Sequence, residues 1–384
     1  MAFFFEWLRA FREGPDFYAH GPGLNYPILG VLIVCGPARL FEIATGLTLE
    51  LSGFIAIHKV MLALGEAFFL WSTALTAQSL QQKHPFRIAL LVYAMPSTWA
   101  MGAYFGQIDI WASALQLLAL HLILHERIAR SPFVYGLSCI TVLFATVLTK
   151  QLAWLGLLPL LVAFVVRVRP QPARMRIAQG ALLGLLASLT FMLAIDALVA
   201  WPFGIASHVL FVLQAPGSAH LDLAVANGAS LWSLFVQGGT PASTSLLGAA
   251  WLSIGNVGKA LFLVLTLATL VVQAQRREGE RVLSLMALGM VALLGAFILP
   301  GSHERYLAHA LPPLLLLAFT EKRSFTSLMT CIVSILSGLY VLASIHWEAF
   351  DRLRFLRDPP LLVCAQALLL LALFLRVPRI LRRA

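Results

Sequence analysis

From residue 54 almost to the C-terminus the chain alternates long apolar runs with short polar links. The runs have the length a helix needs to cross a bilayer. They predict helices at about 54–80, 86–103, 107–125, 133–149, 152–168, 178–199, 258–275, 281–299, 306–320, 325–345 and 360–377. The expected fold is therefore all-α: a polytopic membrane protein with about eleven spans. Residues 1–50 precede the runs and are expected to form a first extracytoplasmic loop with interfacial helices. Residues 51–384 form the multi-span region, interrupted by one long connection at 201–256. Connections of that length tend to be functional. Its apolar pieces SHVLFVLQ and ASLWSLFVQ predict re-entrant or interfacial helices.

Composition agrees with the pattern. Hydrophobic residues make up 60% of the chain and charged residues 11%, too little polarity to cover a soluble protein of 384 residues. Cys35, Cys139, Cys331 and Cys364 are scattered, with no metal spacing, and read as small hydrophobes.

Charge sets the orientation. When the links are assigned alternately to two sides, one side receives QQKHPFR, HERIARS, RVRPQPARMR, QAQRREGER, TEKRS and RVPRILRRA, with 17 of the 27 Lys and Arg. That side is expected to be cytoplasmic, with the C-terminus on it. The net charge of +10 is thus accounted for by topology, and no nucleic-acid partner is expected. Residues 1–50 then fall outside with nothing in front to carry them across, so the chain is expected to lack a first span.

The outward links hold the unusual polar clusters. Gln107 and Asp109 stand in AYFGQIDIW, Lys150 and Gln151 in LTKQLAW, and His303, Glu304, Arg305 and Tyr306 in LPGSHERY. Each cluster opens a helix entering from the same face. Pro300 and Gly301 end the helix before HERY, and Ser302 is a natural N-cap. Helix N-termini favour anions. Arg305 adds a guanidinium fork and Lys150 a point charge, which makes a phosphate the expected ligand. Asp109 would accept a proton or orient a sugar hydroxyl.

Other accounts of the same residues stay open. Asp109 could merely complement a helix dipole, Lys150 could snorkel to the interface, and His303–Tyr306 could form a surface charge network. Glu66 and Asp196 could pair internally. His121 and His125, four apart, read as an interfacial cap rather than metal ligands. No phosphate-binding glycine loop is present.

In order, NYPIL (25–29), FGQIDIW (105–111), TKQ (149–151), ANGASLWSLF (226–235) and SHERYL (302–307) resemble the GT-C membrane glycosyltransferases, specifically bacterial relatives of the mannosyltransferases of GPI-anchor synthesis. The resemblance covers almost the whole chain. It implies a polyprenyl-phosphate-linked hexose as donor, mannose as the expected sugar, a lipid or glycan acceptor, an inverting mechanism and a site on the extracytoplasmic face of the bacterial inner membrane. It implies donor-phosphate and sugar contacts by Arg305, His303, Glu304, Tyr306, Lys150, Gln107 and Gln151, and cavity lining by Asn25, Tyr26, Asn227 and Trp232. No metal ligand is assigned, and a divalent cation is left open. This chain has Pro27-Ile28 where the family has two prolines, and Lys150 and Gln151 adjacent where the family inserts a proline. A first-loop Asp that serves the family as general base would stand just before Met1; Asp16 and Glu6 are the first-loop acids weighed in its place. The alternatives are a lipid or small-solute transporter and a catalytically inactive fragment.

Overall fold

The computed structural model describes residues 2–13, 27–100, 107–125, 131–200, 223–225, 229–275, 280–301, 306–320, 324–345 and 359–383, leaving aside the side chains of 2, 3, 151, 195–200, 250, 280, 344, 345, 359 and 378–383. The described residues are helical apart from short connections and two isolated β-bridges in the long loop. We number the helices α1 (Ala2–Glu13), α2 (Ile28–Thr45), α3 (Leu51–Ser79), α4 (Pro85–Ala94), α5 (Pro96–Trp99), α6 (Asp109–Leu124), α7 (Pro132–Thr149), α8 (Trp154–Val168), α9 (Arg174–Ala200), α10 (Ile254–Gln275), α11 (Glu280–Ile298), α12 (Leu307–Thr320), α13 (Phe325–Ile345) and α14 (Pro359–Arg383).

Among the described residues, eight helices are long and apolar enough to cross a membrane: α2, α3, α7, α9, α10, α11, α13 and α14. Helices α4, α6, α8 and α12 are apolar but shorter. The chain is thus a polytopic, all-helical membrane protein. Each of the eleven predicted stretches carries a helix. At 18 residues, α2 falls within the part expected to be interfacial.

The clearest departure lies at 86–103, where one continuous helix is expected. Met95 is extended (φ −70°, ψ 135°) because the following proline excludes it from the helical region, and Pro96 starts a new turn. The break is packed: a Cβ on Gly338 of α13 would lie 2.4 Å from the Pro96 Cβ.

The core is built around α11 and α12. Of α11, 89% of the span window is buried, and Leu307 through Ala318 of α12 are all buried. A helix apolar all round belongs in the interior of a bundle. The outer helices instead expose apolar side chains, such as Leu182, Leu183 and Phe191 on α9 and Leu263, Val264 and Val271 on α10. In a membrane these face lipid. Helices α7 and α9 pair closely through glycine: a Cβ on Gly136 would lie 2.0 Å from the Ile177 carbonyl, and one on Gly180 the same distance from that of Phe133. Small residues let membrane helices approach backbone to backbone.

The N-terminal aromatic stretch folds back onto the bundle. Phe4, Trp7 and Leu8 of α1 are buried in a cluster with Val31, Val34 and Phe54. Glu42 of α2, 5% exposed, holds the return. It accepts from Arg12 and from Arg39 (3.2 Å), and the Leu49 amide donates to its Oε1 at 2.9 Å.

Only part of the long loop is described. ASLWSLFVQ does not form the expected interfacial helix; it makes a short 3-10 turn, Leu231–Leu234, followed by bends that pair Leu223 with Pro241 and Ser245 with Ser253. The SHVLFVLQ piece lies outside the described residues.

Candidate functional site

The GQID and TKQ motifs stand at helix ends, and the fold brings them together. Helix α6 starts at Asp109, which lies in its first turn, at the positive end of the helix dipole. Helix α7 stops at Thr149, and Lys150 is extended (φ −153°, ψ 138°) before the 3-10 turn Gln151–Ala153 and the start of α8. The extended residue directs the chain from one helix into the next and turns the lysine inward. Gly30 of α2 makes this junction compact, since a Cβ there would lie 2.2 Å from the Thr149 carbonyl.

At the junction, Lys150 Nζ donates to Asp109 Oδ2 at 2.7 Å, with side-chain exposures of 3% and 1%. On the other carboxylate oxygen, His309 Nε2 of α12 lies 3.2 Å from Asp109 Oδ1, and the imidazole is fully buried. One negative and one positive group neutralise each other where neither could remain charged alone. Lys150 therefore does not snorkel. The Asp109 carboxylate thus ties the start of α6 to α12 and to the junction between α7 and α8.

Neighbouring groups complete the setting. Pro312 has no amide hydrogen, so the Ala308 carbonyl loses its helical donor. The Ser113 hydroxyl of α6 supplies one, at 2.9 Å. Beside Asp109 lies a small cavity of about 10 Å³, room for one water, lined by Ser97, Thr98, Asp109, Ser113, Ala308 and Pro312 among others.

The remaining expected residues divide as follows. Gln107 and Tyr306 are half-buried, and Tyr306 packs against the main core. Gln151 lies in the 3-10 turn. Glu6 is on an exposed face of α1, paired with Arg9 at 3.2 Å. Trp232 is 5% exposed, clusters with Ala224, Val225 and Ile254, and donates its indole N–H to the Ile298 carbonyl at 2.6 Å. Asp16, Asn25, Tyr26, Asn227, His303, Glu304 and Arg305 lie outside the described residues.

Glu66 pairs internally, accepting from the Tyr93 hydroxyl at 2.8 Å. His121 and His125 sit edge to face, 5.1 Å between ring centres, and His121 Nδ1 bonds Ser79 Oγ at 2.8 Å. Arg281 donates to the Ser79 carbonyl at 2.9 Å, so the ends of α3, α6 and α11 are tied there. Among the described residues no three His, Cys, Asp or Glu side chains gather as a metal site.

Sequence reasoning missed His309 and Glu42. Each had a signal: His309 is the one polar side chain in LAHALPPLLLL, and Glu42 the one acid in ILGVLIVCGPARLFEIAT. An isolated ionisable residue inside an apolar run is a site by default. The chain matches no family model, and a search among curated proteins finds no relative.

Proposed function

We propose that this protein is a membrane-embedded glycosyltransferase that takes a hexose, mannose in the first instance, from a polyprenyl-phosphate donor and passes it with inversion to a lipid or glycan hydroxyl. The reaction is placed at the extracytoplasmic face of a bacterial inner membrane, with the C-terminus in the cytoplasm. The observation that carries this reading is the buried Asp109–Lys150–His309 cluster. It joins the GQID, TKQ and post-HERY segments, far apart in sequence, at one place inside a largely apolar bundle.

In this scheme the HERY run, which directly precedes α12 in the chain, supplies the cation that holds the departing phosphate. Lys150 and Asp109, a mutually neutralised buried pair, fix the junction at which α6 and α8 begin. Charged donors act most strongly where water is excluded. The substrate itself is a lipid, which suits a chain without a nucleotide-binding motif.

A transporter is the second reading, favoured by the helix breaks at Met95–Pro96 and at Lys150, since broken helices and buried ions also mark permeation paths. The deciding experiment uses the full chain in proteoliposomes with radiolabelled polyprenyl-phosphate mannose, glucose or galactose and an extract of bacterial membrane lipids as acceptor. Label should move to a new lipid or glycan product and should not do so with Lys150→Ala. Flux of donor across the bilayer with no transferred sugar would replace the enzyme by a transporter.

A further inference from the structure

We infer that His309 is a hydroxyl-binding residue of this site: a neutral imidazole whose Nε2–H is held by Asp109 and whose Nδ1 is offered as a buried acceptor to an O–H group. The inference rests on the glycosyltransferase reading only for which hydroxyl arrives; the ring's state is argued independently.

The ring's protonation follows from its partner. Ionised Asp109 only accepts hydrogen bonds, and Lys150 at 2.7 Å favours its ionised form. The contact at 3.2 Å from Oδ1 therefore requires the proton on Nε2. A second proton on the ring would set two cations against one carboxylate in a buried place, which desolvation opposes. The ring is thus neutral, and Nδ1 carries a lone pair.

Among the described residues that lone pair has no partner: His309 Nδ1 is buried without a hydrogen bond, in a residue with no exposed surface. The hydroxyls lining the cavity beside Asp109 are already engaged: Ser113 donates to the Ala308 carbonyl, Thr98 to the Val92 carbonyl, and Ser97 pairs with Ser334. Buried acceptors in folded proteins are almost always satisfied, and an orphan needs an explanation. A carboxylate fixing one imidazole nitrogen while the other faces a hydroxyl is the arrangement by which proteins poise a ring to receive a hydroxyl proton.

The donor should be a neutral O–H. Lys150 on the same carboxylate disfavours a second ammonium, and the surrounding helix is apolar, with Leu307, Ala308, Ala310 and Leu311 all buried. The site lies three residues beyond Tyr306, within about one helical turn of the HERY run. Water and an acceptor's hydroxyl are the two sources of this chemistry. A water would meet Nδ1 when the site is at rest, and a substrate hydroxyl would take its place.

Full-length protein labelled with ¹⁵N-histidine, in detergent micelles at neutral pH, tests this directly, with His309→Gln identifying the His309 signals. The expected result is the Nε2–H neutral tautomer, with Nδ1 shifted as a hydrogen-bonded lone pair. A further shift of Nδ1 on adding octyl α-mannoside assigns the hydroxyl to a sugar; the same hydrogen-bonded signal with and without it assigns it to water. An Nδ1–H tautomer, an imidazolium, or an Nδ1 free of any hydrogen bond under both conditions overturns the inference.

Transfer from polyprenyl-phosphate mannose gives the functional arm. His309→Gln keeps a donor for Asp109 and loses the Nδ1 acceptor, whereas His309→Asn keeps a polar group near Nδ1 and loses the Asp109 contact. With its melting temperature kept, the Gln variant should lose roughly tenfold or more in kcat, the worth of a hydrogen bond to the reacting hydroxyl. Full rescue by Gln would show that His309 only positions Asp109 and would overturn the hydroxyl role. If the unaltered protein transfers no sugar, the enzyme reading fails, while the tautomer and the Nδ1 shift still decide this one.

Discussion

Lys150 Nζ and Asp109 Oδ2 lie 2.7 Å apart with both side chains buried, although 41 positions separate them in the chain. The pair is maintained by opposition of costs: either charge alone would be stranded in a dry interior. Asp109→Asn or Lys150→Met should each destabilise the protein by about 3–5 kcal/mol, the range for breaking a buried pair. Asp109→Asn together with Lys150→Met should cost less than the sum of the two, because it strands no charge. Thermal unfolding of the four proteins in one detergent measures the coupling, and strict additivity would mean that the two groups do not depend on each other.

Ser113 and Pro312 form a second, neutral pair. The proline removes the amide that would serve the Ala308 carbonyl, and the serine hydroxyl at 2.9 Å replaces it. Ser113→Ala should cost about 1–3 kcal/mol, the penalty for a buried acceptor left unpaired. With Pro312→Ala also present, a helical N–H returns to the carbonyl and most of that loss should disappear. The same melting assay reads this cycle, and a Ser113→Ala loss unchanged by Pro312→Ala would assign the serine some other role.

Much of this architecture is legible in the chain because apolar runs and breakers act locally. The starts of α7 and α13, at Pro132 and Phe325, sit where polar links give way to apolar runs. The break after Ala94 was written in Pro96, yet an unbroken hydrophobic pattern hides a single proline from a reading by periodicity. The site was half legible. Asp109 and Lys150 stood out because they interrupt apolar helices at their ends. Their contact could not be read, because it depends on how α6, α7 and α2 pack. His309 was overlooked for the opposite reason: it sits inside a helix, where one imidazole barely alters the apolar pattern, and its meaning comes only from Asp109 across the bundle.

Glycine at position 30 has a role that position 36 lacks, though both lie on α2. A Cβ at Gly30 would meet the Thr149 carbonyl at 2.2 Å, whereas at Gly36 nothing lies closer than 4.0 Å. Gly30→Ala must push α2 away from the Lys150 junction, and overpacking of this kind typically costs about 1–3 kcal/mol. Gly36→Ala adds a Cβ that meets no other element, only the following Pro37, and should cost less than Gly30→Ala. Sugar transfer should fall in the first variant and hold in the second. Equal melting temperatures for the two would mean that α2 does not bear on the junction.

Trp232 separates packing from substrate binding. Its indole N–H donates at 2.6 Å to the carbonyl of Ile298, the last residue of α11, where the helix offers no donor of its own. Gly258 admits the ring, since a Cβ there would be 3.2 Å from Trp232 Cζ2 and 3.0 Å from the Ile298 carbonyl. The tryptophan thus fastens the long loop to the helix end that precedes HERY in the chain. Trp232→Phe keeps most of the ring but strands the carbonyl, and should cost about 1–3 kcal/mol. Trp232→Ala also empties the cluster with Val225 and Ile254 and should cost about 3–5 kcal/mol. Both losses should appear in melting temperature without donor present, and KM for the donor should stay unchanged in the Phe variant. A Phe variant with unaltered melting and a raised KM would instead make Trp232 a wall of the substrate cavity, as the resemblance implies.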